Sequence, residues 1–226
     1  MYYLNANEIM ILITRPLPQA TFTKAKLQAI GHDARIHPLL EIEFLDFDMV
    51  NAFDYVIITS QNAAKALCTK PAIHAQALVV GNKTSALIEQ HGYKVAFTAP
   101  DAEHLYNEIS LNISKNASLL YLSGKHLAFP LVQKLGQAGY KITQKVVYNA
   151  RAIEHLPPLH DVEAILFYSP RTAAIFRDNS QADSYNIQAL CISQNTARQL
   201  EGVRFNTVKI ARAPNEDSML ELLNER

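Results

Sequence analysis

Small polar and basic residues recur along the sequence where an apolar run ends and a helical pattern begins. Serine, threonine and asparagine at such junctions accept hydrogen bonds from the first N–H groups of a helix. The remaining N–H groups and the helix dipole favour an anion such as a carboxylate, and adjacent basic side chains add charge. For any single junction, helix capping alone is the alternative interpretation. The candidate anion-binding positions are Arg15, Ser60, Asn62, Lys83, Thr84, Ser123, Gly124, Lys125, Ser169, Arg171 and Thr196.

Other familiar chemistries find no support in the sequence. The 7 glycines form neither a GxGxxG fingerprint nor a GxxxxGK[ST] loop, so dinucleotide and P-loop sites are not predicted. The 8 histidines show no metal-ligand spacing. Ser60 and Ser169 do not lie in a GxSxG motif. The sequence therefore predicts no metal, no organic cofactor and no serine triad.

Charge and cysteine content narrow the class of protein. The 21 basic and 21 acidic residues balance, so no overall field attracts nucleic acid or a membrane surface. Cys68 and Cys191 are the only cysteines, and we interpret them as reduced core thiols. The start of the chain lacks a signal segment, and no run approaches the ~20 apolar residues that span a bilayer. We therefore expect a cytoplasmic protein.

The junctions are positioned by alternating strands and helices. Near-continuous apolar runs indicate strands covered on both faces, as in a parallel sheet. Amphipathic stretches such as 19–29, 84–91 and 129–138 separate them, which indicates an α/β fold. The predicted strands are 10–14, 54–59, 77–80, 94–98, 118–122, 163–168, 189–192 and 207–211.

Four segments of the chain resemble four others in a consistent cyclic order. Any single resemblance between apolar strands arises easily by chance, but four in one order indicate duplication. The unit at the front of the chain pairs with the last unit of the uninterrupted copy. The matches are 54–67 with 163–176, 77–88 with 189–200, 92–105 with 205–220, and 9–38 with 119–148.

The duplication predicts two domains, of which the first is discontinuous. Residues 1–37 and 150–226 form domain 1, and residues 42–148 form domain 2. The linkers lie at about 38–41 and 148–151, where Pro38 favours an extended backbone and KVVYNAR has a strand pattern. Two antiparallel connecting strands would form a hinge with a cleft between the domains, a common place for ligands.

Several segments spread along the chain have the pattern of one known family. They include FDYVIITSQNAA (53–64), VVGNKTS (79–85), GYKVAFTAP (92–100), ILFYSPRTA (165–173), NTARQL (195–200) and ARAPNEDSMLELL (211–223). With them the whole chain resembles the uroporphyrinogen-III synthase family. The resemblance implies two flavodoxin-like domains, each a doubly wound parallel sheet, joined by a two-stranded linker, in a monomer without metal or cofactor. The sequence departs from the family pattern at Asn82, where proline is common, and at Ser193–Gln194, where glycine–proline is common.

The resemblance also implies a reaction. A hydro-lyase of this family cyclises hydroxymethylbilane to uroporphyrinogen III, with loss of water and inversion of ring D, in tetrapyrrole (heme and siroheme) biosynthesis. Tyr148 matches the family tyrosine before the second crossover and is expected to donate a proton or hydrogen bond to the departing hydroxyl, packing being the alternative. The junction residues, Thr84 and Thr196 above all, are assigned to substrate carboxylates. Porphobilinogen deaminase is a candidate for transient hand-over of the bilane.

Two other functions remain open from the residues alone. A non-catalytic binding protein with two α/β lobes could close on a small polyanion and would have no need of Tyr148. A phosphate-ester enzyme could use the same junctions, although no pair of carboxylates placed for magnesium stands out in the sequence.

Overall fold

The chain divides into two compact units. The first unit comprises Met1–Glu41 with Arg151–Arg226, and the second comprises Ile42–Ala150. The computed structural model describes residues 10–49, 52–71, 74–180 and 184–224. The first nine residues, for which the sequence predicts no signal segment, lie outside this range.

Strands and helices alternate through the described residues. The strands are β1 (Met10–Ile13), β2 (Asp33–Ile36), β3 (Leu40–Phe44), β4 (Tyr55–Ile58), β5 (Gln76–Val80), β6 (Val95–Ala99), β7 (Ser118–Gly124), β8 (Lys141–Ala152), β9 (Ala164–Phe167), β10 (Ser184–Cys191) and β11 (Arg204–Ile210). The helices are α1 (Gln19–Ala29), α2 (Gln61–Cys68), α3 (Asn82–Gln90), α4 (Ala102–Asn112), α5 (Leu131–Gln137), α6 (Pro170–Asn179), α7 (Gln194–Arg198) and α8 (Glu216–Glu221).

The first unit is built on a five-stranded parallel sheet. Its strand order is β11-β10-β9-β1-β2, and all four neighbouring pairs run parallel. When these strands are numbered within the unit, the order is that of flavodoxin, with a switch point between β1 and β9. The sheet is assembled from both pieces of the chain, so this domain is discontinuous.

The second unit repeats this topology in cyclic permutation. Its sheet has the order β3-β8-β7-β4-β5-β6, in which β7, β8, β4, β5 and β6 take the places of β1, β2, β9, β10 and β11. The pairs β4–β5, β4–β7, β5–β6 and β7–β8 are parallel. The predicted fold class, α/β with two doubly wound parallel sheets, is confirmed.

The central strands are apolar on both faces because helices cover both faces. Successive residues of β4 alternate between two clusters: Val56 and Ile58 pack with α2 and α3, whereas Ile57 packs with α4 and α5. In the first unit, Ile11 and Ile13 pack with α1 and α8 in the same way. Alternating side chains of a strand point to opposite faces, so a sheet between two helical layers needs an uninterrupted apolar run.

Strands β3 and β8 pair with each other as the sequence predicts for the connecting segments. The N–H of Leu45 donates to the carbonyl of Val147, and the N–H of Ile153 donates to that of Leu39, both at 3.0 Å. Residue numbers rise along β3 as those of the paired residues fall along β8, so the two strands are antiparallel. Arg151 Nη2 lies 2.7 Å from Glu41 Oε2 on this pair.

Strand β2 is absent from the sequence-based prediction. It is a four-residue edge strand in which only Ala34 is buried, and Asp33 and Arg35 interrupt the apolar pattern. Its position is fixed by pairing with β1, from Met10 opposite Asp33 to Ile13 opposite Ile36. Among the described residues, no helix is long and apolar enough to cross a bilayer.

Candidate active site

The candidate residues lie at the carboxyl ends of the parallel strands in each unit. Thr14 and Arg15 follow β1, Ser169 follows β9, Ser60 follows β4, and Ser123 lies near the end of β7. Ligands of open parallel sheets bind at this edge. Each unit therefore gathers its candidate residues at one edge, and the two sets are described separately.

Tyr148 lies against the backbone of Gly124 in the second unit. A Cβ atom placed on Gly124 would lie 2.6 Å from Cζ, 2.8 Å from Oη and 2.9 Å from Cε2 of Tyr148. The pairing of β7 with β8 jumps from Ser123 opposite Val146 to Gly124 opposite Tyr148. This bulge leaves Val147 unpaired in the register, and bulges turn a side chain in a new direction. The bulge and the glycine together therefore allow the half-buried phenol of Tyr148 to lie at the carboxyl edge of the sheet.

A second phenol at this edge was missed by the sequence analysis. Tyr121 is 3% exposed, and its hydroxyl lies 2.9 Å from Thr59 Oγ1. Burial raises the pKa of Tyr121, a hydrogen bond with Thr59 lowers it, and the nearby Tyr148 raises it further. Tyr121 therefore stays protonated near neutral pH. Tyr121 lies in the apolar run SLLYLSG, where the sequence pattern does not distinguish it from a core residue.

The other polar junction residues of the second unit are held by local contacts. Ser60 Oγ accepts a hydrogen bond from the Ala63 N–H at 3.1 Å and so caps α2. Ser123 is buried and accepts from Gln144 Nε2 at 2.8 Å. Thr84 is 4% exposed in the first turn of α3. The Lys125 N–H donates to the Tyr148 carbonyl at 3.0 Å, which ties the end of β7 to β8.

In the first unit, Arg15 is paired with a carboxylate of the protein itself. Arg15 Nη1 lies 2.7 Å from Glu216 Oε2 and 3.3 Å from Thr23 Oγ1. Its guanidinium lies 4.0 Å from the centroid of the Tyr168 ring. The Tyr168 hydroxyl donates to Glu216 Oε1 at 3.0 Å. Sequence reasoning selected Arg15 alone, because Glu216 is 201 residues away in the chain and only the fold brings it near.

Serines cap the helices at the other junctions of the first unit. Ser169 Oγ accepts from the Thr172 N–H at 3.1 Å, and Ser193 Oγ accepts from the Thr196 N–H at 3.3 Å. Thr196 is fully buried. These contacts agree with the capping interpretation. In α7 they leave the N–H groups of the first two helical residues for another acceptor, whereas α6 begins at Pro170, which has no N–H.

The two departures from the family pattern give different helix starts. Gly81 has φ 83° at the N-cap of α3, and no side chain caps that helix. Asn82 then occupies the first helical position, where a proline would also fit. In the first unit Ser193 is extended, with φ −160°, and its side chain caps α7. Helix α3 thus starts with a left-handed glycine, whereas α7 starts with an extended serine whose side chain caps it.

The remaining candidates lie in the first helical turns or just after a strand. Lys83 and Lys125 are exposed, whereas Asn62 and Arg171 are half-buried. The structure thus joins Ser123, Gly124, Lys125 and Tyr148 through the β7–β8 pairing. That the candidates of both units serve one substrate stays a prediction.

The comparisons with known proteins bear directly on this arrangement. The family model described as uroporphyrinogen-III synthase HemD matches residues 22–221. The chain belongs to the uroporphyrinogen-III synthase family. The match includes Tyr148 and most of the junction residues, so the family resemblance noted in the sequence is confirmed.

The proteins similar to the chain include one curated relative and the two solved structures that follow. A protein of Archaeoglobus fulgidus, provisionally named as a uroporphyrinogen-III synthase, is 33% identical over 100 residues. That alignment covers 44% of this chain and 43% of the relative, so it spans less than half the length of either. The uroporphyrinogen-III synthetase of Helicobacter pylori superposes with a TM-score of 0.64 at 24% identity, covering 96% of this chain and 98% of that one. A mutant uroporphyrinogen III synthase of Thermus thermophilus gives 0.57 at 16% identity, covering 96% and 97%.

Two open grooves lie at the opposite, amino-terminal edges of the sheets. One, of 710 Å³, is lined in part by Tyr55, Gln76 and Lys94, and the other, of 530 Å³, in part by Glu163 and Tyr185. Neither lining includes a candidate residue. Within the described part of the chain, no group of three or more His, Cys, Asp or Glu side chains could hold a metal ion.

Proposed function

We propose that this chain cyclises hydroxymethylbilane to uroporphyrinogen III, releasing water and inverting ring D. The observation that carries the proposal is the family match across residues 22–221. The geometry supports it, since helix starts and small polar residues gather at the carboxyl edge of each sheet, and the substrate is a polyanion with acetate and propionate groups. The match does not favour a non-catalytic binding protein.

We assign the substrate carboxylates to the helix starts of each unit. Ser60, Ser169 and Ser193 direct their side chains to the N–H group at the third helical position. In α2 and α7 the N–H groups of the first two helical residues remain for a ligand, whereas α6 begins at Pro170, which has no N–H. The helix dipole favours a negative charge at each of these helix starts. Arg171 in the first turn of α6, Lys83 in the first turn of α3 and Lys125 just after β7 would add positive charge. Thr84 and Thr196 are buried at equivalent third positions, and their assignment to substrate carboxylates stays part of this proposal.

We assign to Tyr148 the donation of a proton or hydrogen bond to the hydroxyl that leaves the bilane. Its support is geometric: the ring rests on the backbone at Gly124, and the residue is half-buried rather than part of the core. A donor held in one place lowers the barrier more than a mobile one. The positive azafulvene that follows would be stabilised by the surrounding dipoles and by the carboxylates of the substrate.

The second task of the protein is to choose a product. The bilane also closes by itself, without inversion, to the type I isomer, so the protein must hold the chain in the conformation that leads to type III. We further propose that it works in the cytoplasm and takes the bilane from porphobilinogen deaminase before spontaneous closure.

A coupled assay tests the proposed function. Porphobilinogen deaminase supplies the bilane, the products are oxidised, and chromatography separates type I from type III uroporphyrin. We expect type III to predominate when the protein is present. Type I alone, in the presence of folded protein, would refute the assignment.

A further inference from the structure

Four side chains from four elements meet at the carboxyl edge of the first sheet. Arg15 follows β1, Thr23 lies on α1, Tyr168 follows β9 and Glu216 opens α8. Glu216 Oε1 accepts hydrogen bonds from Thr23 at 2.7 Å and from Tyr168 at 3.0 Å. Glu216 Oε2 faces Arg15 Nη1 at 2.7 Å. We call these residues the Arg15–Glu216 cluster.

The fold itself does not require this cluster, because the duplicated unit lacks it. Leu12 pairs with Ile165 in one sheet, and Leu120 pairs with Val56 in the other. Leu12 and Leu120 therefore occupy equivalent positions in the two sheets. Arg15 lies three residues after Leu12, and Ser123 lies three residues after Leu120, so Ser123 takes the place of Arg15 in the second unit. In the same way, Tyr168 lies three residues after Ile165 and Thr59 lies three residues after Val56, so Thr59 takes the place of Tyr168.

The same parallel sheet thus forms in the second unit without an ion pair at this position. Burying an ion pair brings little net stability, since desolvation offsets the attraction. A role at the substrate edge explains the pair better than a role in folding does.

The two oxygens of Glu216 have separate tasks. Oε1 is fixed by two hydroxyl donors. Burial raises the pKa of Tyr168, and the charge of Glu216 raises it as well, so the phenol keeps the proton that it donates. Oε2 alone faces Arg15. The side chains of Arg15 and Glu216 are 22% and 16% exposed, so the pair is within reach of a ligand at the sheet edge.

We propose that Glu216 sets how strongly Arg15 holds a carboxylate of the substrate. Glu216 holds the guanidinium through Nη1 beside the Tyr168 ring and at the same time neutralises its charge. An arriving carboxylate meets a neutral pair rather than a bare cation, so it binds more weakly and leaves more easily. This inference rests on the proposed function, since the carboxylate is taken to be that of the bilane or of its cyclised product.

Substitution of Glu216 by glutamine isolates the proposed effect. The amide keeps an oxygen for the two hydroxyl donors and turns an N–H group towards Arg15. Arg15 then loses its carboxylate partner and is available to a substrate carboxylate. We expect KM for the bilane to fall about five-fold, the size of one partly exposed ion pair, while kcat stays close to that of the unaltered chain.

A matched control lies one residue further along the chain. Asp217 is in the same helical turn but pairs with Lys26 at the surface, with its side chain 81% exposed. Asp217→Asn removes the same charge without touching Arg15 and should leave KM unchanged. The Arg15→Ala background gives a second control, since Glu216→Gln should have no further effect on KM there if it acts only through Arg15.

Three results would overturn the inference. They are an unchanged or higher KM in Glu216→Gln, an equal change in Asp217→Asn, and a persisting effect of Glu216→Gln in the Arg15→Ala background. Binding of uroporphyrin III, followed by its fluorescence, measures carboxylate affinity without turnover, and we expect the Kd to fall with KM. If the unaltered chain gave only type I product, the proposed function would fail, and this titration would still decide the role of Glu216.

Discussion

Replacing Gly124 by alanine should displace Tyr148 and reduce turnover without preventing folding. The new Cβ would lie 2.6 Å from Cζ and 2.8 Å from Oη of Tyr148, whereas carbon atoms in contact stay about 3.5–4.0 Å apart. The ring must therefore move by about 1 Å. Overpacking of this kind costs about 1–3 kcal/mol, or roughly 2–12 °C in Tm for a chain of this size.

The effect on activity should exceed the effect on stability. A misplacement of about 1 Å at a reacting group costs about 100-fold in rate, so formation of type III product should fall by that order. The coupled assay gives the rate, and thermal unfolding gives Tm. The matched control is Gly136→Ala, because a Cβ at Gly136 meets no atom within 4 Å. Gly136 lies within α5, where alanine is favoured over glycine by about 1 kcal/mol.

A double variant separates the ring contact from other causes. If the ring of Tyr148 is what the new methyl group strikes, Gly124→Ala should destabilise little in a Tyr148→Ala background. An equal loss of Tm in both backgrounds would show that the cost lies elsewhere. Full type III activity in Gly124→Ala would refute the placement of Tyr148 as a positioned donor.

Three further predictions concern Tyr148, the Asp101–His104 pair and Cys191. Tyr148→Phe should lower kcat substantially with little change in Tm, and unchanged turnover would remove the phenol from the mechanism. Hydrogen bonding from the His104 N–H lowers the pKa of Asp101, and the bond with Asp101 raises the pKa of His104. Their stabilisation should therefore be lost as pH falls through the lowered pKa of Asp101 or rises through the raised pKa of His104. Asp101→Asn should lower the pKa of His104 in an NMR titration of its ring protons. Burial raises the pKa of Cys191 to about 12, so this thiol should react with a disulfide reagent only on unfolding, after the less buried Cys68; equal rates would contradict this.

Apolar runs were sufficient to predict eight of the strands, namely β1, β4, β5, β6, β7, β9, β10 and β11. The signal is strongest for central strands, because a strand between two helical layers is apolar on both faces. The run 54–59 contains β4, and the helix expected at 19–29 coincides with α1. Edge strand β2 escaped, since only Ala34 in it is buried. The position of such an edge strand is set by its pairing with the neighbouring strand more than by its own residues, so its sequence carries little apolar pattern.

The candidate site was predictable only in part. Helix starts reveal themselves through local residue types, so Ser60 and Ser169 were found and both prove to cap helices. The partner of Arg15 was not found, because Glu216 lies far away in sequence and a charge carries no mark of its partner. Tyr121 was hidden in an apolar run, where a tyrosine has the same pattern as a core residue.

The sequence by itself determined the α/β class, the duplicated order of the elements and the family, because these depend on local periodicity and on repetition along the chain. Only the tertiary structure decided which groups touch: the phenol of Tyr148 on the backbone of Gly124, and the carboxylate of Glu216 on Arg15. Contacts between distant residues follow from strand register and helix packing. A shift of one residue in register would turn each side chain to the other face, and no local pattern specifies that choice for a polar pair.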